Sequence, residues 1–391
     1  MNNMRVGIIG MGNMGSAHAN CVIKGEVAGM QLVAVCDIDV GRTEAFVAAR
    51  PTVATYTNYC DLFEHPQLDA VIIAVPHPLH AMIAGEALKR GLHVMLEKPI
   101  DIAVSKAREL VETARSSGKV FAIMFNQRTN TLFQRAHEIV SSGALGELKR
   151  TVWIITNWYR TQHYYDSGGW RATWAGEGGG VLINQAPHNL DLWQWICGMP
   201  QSVTAFCNVA QHHHIEVEDD ATILTRYANG ATGVFVTSTG EYPGTNRLEI
   251  SGDRGKLVLE GGVLKWWKLS TSVAEVSETA ASSFASIACE YQEIQPTGPE
   301  TAHKGILQNF VNAVLYGEEL ISPGSDGIHE LILSNAAYLS EWTGNREVML
   351  PLDTALFDEM LGQRAATSSY HATQQNFHLA EDYKTRWQVN W

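Results

Sequence analysis

The stretch RVGIIGMGNMG, residues 5–15, joins a short apolar strand to a glycine-rich turn. Val6 to Ile9 is typical of a buried strand, and a helical segment follows the glycines to about Lys24. A second apolar strand, Leu32 to Asp37, comes next and ends in a carboxylate. The order strand, turn, helix, strand predicts the beginning of an α/β sheet.

The same alternation continues to about residue 128. Further strands are predicted at Ala70–Val75, His93–Leu96 and Val120–Phe125, with a helix at Leu79–Arg90 and another that ends at Gly118. Because these strands are almost continuously apolar, we expect a parallel sheet that is covered on both faces. The sequence therefore predicts a doubly wound Rossmann domain over residues 1–128.

The glycine motif GMGNMG indicates a dinucleotide site. Gly10 would allow the tight turn, Gly12 would let the backbone approach a pyrophosphate, and Gly15 would let the helix pack closely on the strand. Asp37, at the end of the next strand, would accept the ribose hydroxyls and repel a 2′-phosphate, which favours NAD over NADP. Arg42 is near enough in sequence to leave NADP open. The alternative is a glycine-rich turn without a ligand.

Two further strand ends carry polar side chains. In open α/β sheets the ligand lies at the carboxyl ends of the strands, and both Val75-Pro76-His77 and the EKP at 97–99 follow such ends. We therefore expect Lys98 to lie where a substrate meets the cofactor; the alternative is a surface salt bridge with Glu97. The predicted cofactor contacts are Gly10, Gly12, Asn13, Met14, Gly15, Asp37, Ile38, Val75, Pro76, His77, His80, Glu97 and Lys98.

The sequence resembles the glucose–fructose oxidoreductase and inositol dehydrogenase (Gfo/Idh/MocA) family over roughly residues 4–350. The resemblance rests on the Asp37 strand end and on GMGNMG (10–15), AVPHPLH (74–80), EKP (97–99), GALGEL (143–148) and GGGVLINQAPHNLD (178–191). It implies that Lys98 hydrogen-bonds the reacting hydroxyl, and in this family the Lys–Pro bond is often cis.

From about Lys149 the pattern changes to strand-like runs separated by turns. These runs lie at 149–157, 203–209, 220–227, 231–238 and 247–260, with helices near 184–197, 301–317 and 327–343. They predict a large, mainly antiparallel sheet in an α+β domain over residues 129–363. The resemblance implies that this domain binds substrate and that its open sheet face forms a homodimer or homotetramer. We expect residues 364–391 to dock on the protein or on a neighbouring subunit.

A second set of polar residues lies in the segment 178–198. Asn184, His188 and Asp191 would share one face of a continuous helix. Histidine exchanges protons near neutral pH, so His188 is the predicted general base, and Asp191 could orient its ring. Many relatives have Asp where this chain has Asn184. The predicted catalytic residues are Lys98, His188 and Asn184, and the alternative for His188 is a structural helix histidine bonded to a carbonyl.

Residues 156–180 are dense in Trp, Tyr and Arg, side chains that stack on sugar rings and bond their hydroxyls. The resemblance adds Arg128, and the alternative for the whole stretch is a core strand with a packed loop. The predicted substrate contacts are Lys98, Arg128, Tyr159, Arg160, Trp170, Arg171, Asn184 and His188.

Composition excludes several classes of function. Lys and Arg number 28 against 41 Asp and Glu, a net charge of −13 that argues against a nucleic acid or an anionic membrane as partner. The six cysteines lack metal-ligand spacing, and QHHH at 211–214 is predicted to be an exposed loop and not a metal site. Without a signal peptide or a long apolar run, we expect a cytoplasmic protein.

Together these features predict an NAD-dependent enzyme that oxidises a ring secondary hydroxyl of a sugar, glycoside or cyclic polyol. Two alternatives stay open. One is a glycosidase of the same family that retains its NAD and oxidises the sugar only transiently. The other is a sugar-sensing regulator on the same fold, which would not need Lys98 and His188 together.

Overall fold

The structure, a computed structural model, describes residues 3–48 and 50–369. The chain divides into two compact units. The first combines the residues up to Thr129 with Gly176–Gly178 and Thr301–Leu331. The second contains Asn130–Ala175, Gly179–Glu300 and the described residues from Ile332 onward.

The first unit contains a six-stranded parallel sheet in the order β3-β2-β1-β4-β5-β6. Its strands are β1 (Met4–Ile9), β2 (Met30–Cys36), β3 (Ala54–Tyr56), β4 (Ala70–Ile73), β5 (His93–Leu96) and β6 (Phe121–Ile123). The helices between them are α1 (Asn13–Ile23), α2 (Val40–Val47), α3 (Tyr59–Phe63), α4 (His80–Lys89) and α5 (Val104–Ser117). The predicted doubly wound Rossmann sheet is confirmed.

The strand order places the point of reversal beside β1. The chain runs from β1 outward to β2 and β3, then returns to β4 on the other side of β1. All four residues of β4 are completely buried, as expected for a central parallel strand covered on both faces. Ligands of such sheets bind at the carboxyl ends of the strands at this reversal, where Gly10 follows β1.

The second unit contains a nine-stranded sheet in the order β14-β13-β12-β11-β7-β10-β9-β8-β15. Its strands are β7 (Leu148–Ile155), β8 (Ser202–Val209), β9 (Glu218–Arg226), β10 (Thr232–Ser238), β11 (Asn246–Gly252), β12 (Gly255–Glu260), β13 (Val263–Leu269), β14 (Cys289–Ile294) and β15 (Val348–Met349). Its first helices are α6 (Thr131–Ser141), α7 (Gln162–Asp166), α8 (Val181–Asn184), α9 (Pro187–Cys197) and α10 (Val273–Thr279). Among the described strands β7 and β10 pair in parallel and the other neighbours pair antiparallel, so the mainly antiparallel sheet is confirmed.

Three helices complete the described chain: α11 (Ala302–Tyr316), α12 (Gly327–Trp342) and α13 (Thr354–Ala366). Ile306, Leu307 and Phe310 of α11 are buried in the apolar core around β1, so this helix belongs to the first unit and not to the second domain in which we predicted it. The functional boundaries 1–128, 129–363 and 364–391 stay predictions.

The predicted docking of the C-terminal extension concerns mostly residues outside the described part, which ends at residue 369. Just before that point, Ser368 and the backbone amide of Ser369 bond the carboxylate of Glu216. No helix in residues 3–48 or 50–369 has the length and apolar composition needed to span a bilayer.

Candidate active site

The glycine turn after β1 has the shape that a dinucleotide requires. Gly10 has φ +90°, and a Cβ there would lie 2.4 Å from the Ala74 carbonyl oxygen. A Cβ on Gly15 would lie 1.7 Å from the Gly10 carbonyl oxygen, so α1 packs against the turn without a side chain between them. A Cβ on Gly12 would meet nothing nearer than Arg42 Nη1 at 3.9 Å, which leaves that face of the turn open to a ligand.

Asp37 connects the end of β2 to this turn. Its Oδ2 accepts the Met11 amide at 2.7 Å and its Oδ1 accepts the Asp39 amide at 2.9 Å. Arg42 lies 3.7 Å from Asp37 and 3.3 Å from Asp39, and Ile38 is 92% exposed beside them. The carboxylate is therefore held at the edge of the glycine turn, where the ribose of NAD would lie. Of the other predicted contacts, Asn13 is exposed and Met14 half-buried at the start of α1.

The turns after β4 and β5 lie side by side because Ile73 and Leu96 are register partners. His80 connects them: its Nδ1 lies 2.6 Å from the Pro99 carbonyl oxygen and its Nε2 lies 2.8 Å from that of Val75. Pro76 is half-buried next to Val75, and His77 is buried with its Nδ1 3.1 Å from the Glu177 carbonyl oxygen. The Lys98–Pro99 peptide bond is cis, as the resemblance implied.

Glu97 anchors the turn that carries Lys98. Its side chain is buried, Oε1 accepts a 2.6 Å hydrogen bond from His18 Nε2, and Oε2 accepts the Lys98 amide at 3.3 Å. Burial alone would raise the pKa of Glu97, but the hydrogen bond from His18 and the electrostatic influence of His18, His303 and Lys98 outweigh it and lower that pKa. A surface salt bridge between Glu97 and Lys98 is excluded, because Glu97 is only 5% exposed.

The segment that carries Asn184 and His188 is not the single helix that we predicted. Asn184 ends the short helix α8, and α9 begins at Pro187, with His188 and Asp191 one turn apart on it. Proline lacks the amide hydrogen needed within a helix and suits the first helical position, so the break falls just before it. Asn184 and His188 therefore lie on two successive helices, whereas His188 and Asp191 lie on α9.

Glu218, which sequence analysis missed, holds the glycine segment before α8. Its side chain is fully buried and accepts the amides of Gly180 and Leu182, both at 2.9 Å, and the Tyr338 hydroxyl at 2.7 Å. Burial raises the pKa of Glu218 to about 7, although these hydrogen bonds oppose the rise. Added Cβ atoms on Gly179 and Gly180 would lie 2.1 Å from the Tyr338 hydroxyl and 1.8 Å from the Glu218 carbonyl oxygen. The sequence signal is EDD at 218–220, an acidic run at the beginning of a buried strand.

The aromatic stretch is tied to the same segment within the second unit. Trp158 is buried and its Nε1 donates to Asn189 Oδ1 on α9 at 3.2 Å, so the predicted alternative of a packed side chain holds for it. The Tyr164 hydroxyl accepts Arg171 Nη1 at 2.7 Å and Gln185 Nε2 at 3.1 Å. The Arg171 guanidinium also lies 4.7 Å from the centre of the half-buried Trp170 ring.

Three other predicted residues differ in exposure. Tyr159 is 46% exposed, and the half-buried Arg160 donates to the carbonyls of Trp158 and Tyr159. Arg128 is 1% exposed, and its Nη1 donates to Asp326 at 2.7 Å and to the Ile321 carbonyl. These two bonds use Nη1 of the guanidinium, and the predicted contact of Arg128 with substrate stays a prediction.

The QHHH segment also departs from its prediction. Gln211, His212 and His214 are exposed, but the His213 side chain is only 7% exposed. Within residues 3–48 and 50–369 no cluster of His, Cys, Asp and Glu could hold a metal ion.

Two sequence profiles of one family match the chain. The profile described as the oxidoreductase family, NAD-binding Rossmann fold, covers residues 4–125. The profile of the GFO/IDH/MocA C-terminal domain covers residues 133–258.

Individual relatives agree with these matches. Inositol 2-dehydrogenase of Rubrobacter xylanophilus is 27% identical over 347 residues, covering 87% of this chain and 91% of that protein. Trans-1,2-dihydrobenzene-1,2-diol dehydrogenase of Bos taurus is 27% identical over 257 residues, covering 64% and 72%. The crystal structure of the WlbA dehydrogenase of Chromobacterium violaceum with NADH and UDP-GlcNAcA is 28% identical with a TM-score of 0.76, covering 90% and 97%.

Proposed function

Because this chain belongs to the Gfo/Idh/MocA family and is an NAD-binding oxidoreductase, we propose that it is a dehydrogenase that oxidises a ring secondary hydroxyl of a sugar, glycoside or cyclic polyol. The observation that carries the proposal is the EKP turn, in which Glu97 and His80 hold Lys98 at the carboxyl edge of the Rossmann sheet. NAD, when bound, supplies the ring that accepts the hydride of the carbinol carbon.

Three residues are assigned to the chemistry. His188 accepts the proton of the substrate hydroxyl, and the Lys98 ammonium stabilises the negative charge that develops on its oxygen. Asn184 bonds a hydroxyl through its amide, which cannot take a proton as a carboxylate would. The proton transfer therefore depends on His188, with Asp191 one helical turn away on α9.

The names of the relatives support a ring alcohol as substrate. Inositol 2-dehydrogenase and trans-1,2-dihydrobenzene-1,2-diol dehydrogenase are both named for hydroxylated six-membered rings. We assign Tyr159, Arg160, Trp170 and Arg171 to contacts with such a ring, since aromatic faces pack on its C–H groups and guanidiniums bond its hydroxyls. That the chain forms a homodimer or homotetramer and acts in the cytoplasm stays a prediction.

The test is a screen of inositols, pyranosides and cyclic 1,2-diols with NAD and with NADP, followed by NADH absorbance. We expect turnover with NAD, and a fall in kcat on the order of 10²-fold or more in Lys98→Ala and His188→Ala. Lys89→Ala and His214→Ala, on exposed positions, are the matched controls.

Two results would contradict the proposal. Near-normal turnover in either active-site variant would remove the role assigned to that residue. Cleavage of a glycoside without net NADH would favour the family's NAD-retaining glycosidases.

A further inference from the structure

His213, in the loop between β8 and β9, lies between two oxygen atoms. Its Nδ1 is 2.8 Å from Asp219 Oδ2, and its Nε2 is 2.9 Å from the Arg160 carbonyl oxygen. Its ring packs against Tyr165, with the ring centres 4.8 Å apart. His213, predicted from the sequence to lie in an exposed loop, is therefore part of a buried hydrogen-bond chain.

Both partners of His213 can only accept. Asp219 already accepts the amides of Gln211 and His212, each at 2.9 Å, which holds its carboxylate in place. The Arg160 partner is a backbone carbonyl. A neutral imidazole has one donor nitrogen and one acceptor nitrogen, so it would turn a lone pair toward one of these oxygens. Only the ring protonated at both nitrogens donates to both.

The surrounding charges favour that protonated ring. Burial alone would lower the pKa of His213, but the hydrogen bond with Asp219, the Arg160 carbonyl and the Asp219 charge outweigh it and raise that pKa. His80 lies between two neutral carbonyls instead, and burial lowers its pKa. The titratable residues in contact with His213 are Asp219 of β9, Tyr165 of α7 and Arg160 through its carbonyl, and His212 and His214 are its chain neighbours.

The bond to Arg160 completes the anchoring of a segment assigned to substrate. The Arg160 amide donates to the Thr239 carbonyl at 2.9 Å, and its own carbonyl accepts from His213. Its guanidinium turns back onto the carbonyls of Trp158 and Tyr159. The main chain of Arg160 is thus held on both sides, and the exposed Tyr159 ring immediately precedes it.

We propose that His213, protonated at both ring nitrogens, is a positioning residue that holds the Trp158–Arg160 segment for substrate binding. A neutral ring keeps its proton on Nδ1, where the acceptor is the charged Asp219 carboxylate, so the bond from Nε2 to the Arg160 carbonyl is lost and the segment loosens. The proposal rests on the proposed function because Tyr159 and Arg160 are assigned there to the substrate.

The first experiment needs no substrate. On the full chain with labelled histidine, NMR should show His213 with both ring nitrogens protonated at pH 6.5, where an ordinary histidine is half protonated. Hydrogen exchange of peptides covering residues 156–162 should be faster in His213→Gln by about tenfold, the effect of losing roughly 1.4 kcal/mol. His214→Gln, an exposed neighbour, should leave that exchange unchanged. A singly protonated His213 ring at pH 6.5, or unchanged exchange in His213→Gln, would overturn the proposal.

The second experiment measures KM and kcat against pH, with myo-inositol and NAD as the probes. We expect KM of the wild type to rise as the pH passes the raised His213 pKa, and His213→Gln to have a high KM that no longer depends on this ionisation. Its kcat should stay within about twofold, since the residue does not touch the reacting atoms. Equal KM values in both proteins would remove the link to substrate binding. Lack of turnover in the whole sugar screen would count against the proposed function. The hydrogen-exchange and NMR measurements would still decide whether His213 holds the Trp158–Arg160 segment.

Discussion

Glu97 follows β5 in the first unit and Glu218 begins β9 in the second, and both side chains are almost completely buried. Glu97 precedes Lys98, and Glu218 holds the glycine segment that leads to Asn184. Glu97 has histidine and lysine around it, and its pKa is lowered. Among the described residues, Glu218 accepts from backbone amides and a tyrosine hydroxyl, and burial raises its pKa to about 7. The same residue type, equally buried, responds in opposite directions.

The difference shows what holds each turn in place. Burial disfavours the charged form of a carboxyl group and raises its pKa. Hydrogen bonds from neutral donors make this rise smaller, whereas neighbouring groups that can carry positive charge turn it into a decrease. The Lys98 turn is therefore held by a charged carboxylate over the whole neutral range. The glycine segment before Asn184 is held by a carboxylate that gains its proton near pH 7.

The largest expected effect is at Glu97. Glu97→Ala should lower the free energy of unfolding at neutral pH by about 3–5 kcal/mol, because it breaks a buried pair and leaves His18 without its acceptor. In the folded protein the pKa of Glu97 is lowered from 4.5 to about 2. The difference in the free energy of unfolding between the wild type and Glu97→Ala should therefore be complete above pH 4.5 and decrease as the pH falls toward about 2. Denaturant titrations at several pH values measure it, with the exposed Glu109→Gln as control. A difference that does not change in this pH range would contradict the lowered pKa of Glu97.

Glu218→Gln should have a smaller effect with the opposite pH dependence. An amide group can no longer accept from all three donors, at a cost of about 1–3 kcal/mol. Because the folded pKa is raised from 4.5 to about 7, this side chain stabilises the fold most below pH 4.5, and the contribution is lost as the pH rises to about 7. The wild-type advantage over Glu218→Gln should therefore shrink across this window. Denaturant titrations at several pH values test this prediction, with Glu241→Gln on an exposed loop as control. A stability difference that grows with pH would contradict the opposite behaviour of Glu97 and Glu218.

The smallest expected effect is that of Tyr338→Phe. The ring stays stacked on Trp342, and only the hydroxyl that donates to Glu218 is removed. We expect a loss of about 1 kcal/mol in the free energy of unfolding. With one donor fewer, the pKa of Glu218 should rise further, so the pH window seen for the wild type should extend upward. If the window stays in place, the tyrosine hydroxyl does not stabilise the carboxylate.

Several elements could be predicted from local sequence alone. Val6–Ile9, the glycine turn and the strand ending at Asp37 were predicted because an apolar run, a glycine pattern and an acid each have a local signature. The runs at 203–209, 220–227 and 231–238 correspond to β8, β9 and β10. The run 247–260 instead forms the hairpin of β11 and β12, because the turn at Asp253-Arg254 interrupts an otherwise continuous pattern. Strands β3, β13, β14 and β15 were missed. Of these, β3, β14 and β15 lie at sheet edges, where strands are often short or charged, and β13 pairs with the edge strand β14.

The sequence by itself determined the Rossmann sheet, its glycine turn for NAD, and the identity of the polar residues that end its strands. These depend on residues close together in the chain, whose periodicity and backbone conformation are local properties. Only the tertiary structure decided that His18 pairs with Glu97, that Glu218 accepts from Tyr338, and that His213 joins Asp219 to Arg160. His18 and Glu97 are 79 residues apart in the chain, Tyr338 and Glu218 are 120 residues apart, and His213 and Arg160 are 53 residues apart. Burial and hydrogen-bond partners set the protonation state of each side chain, and neither can be predicted from the residues next to it in the sequence.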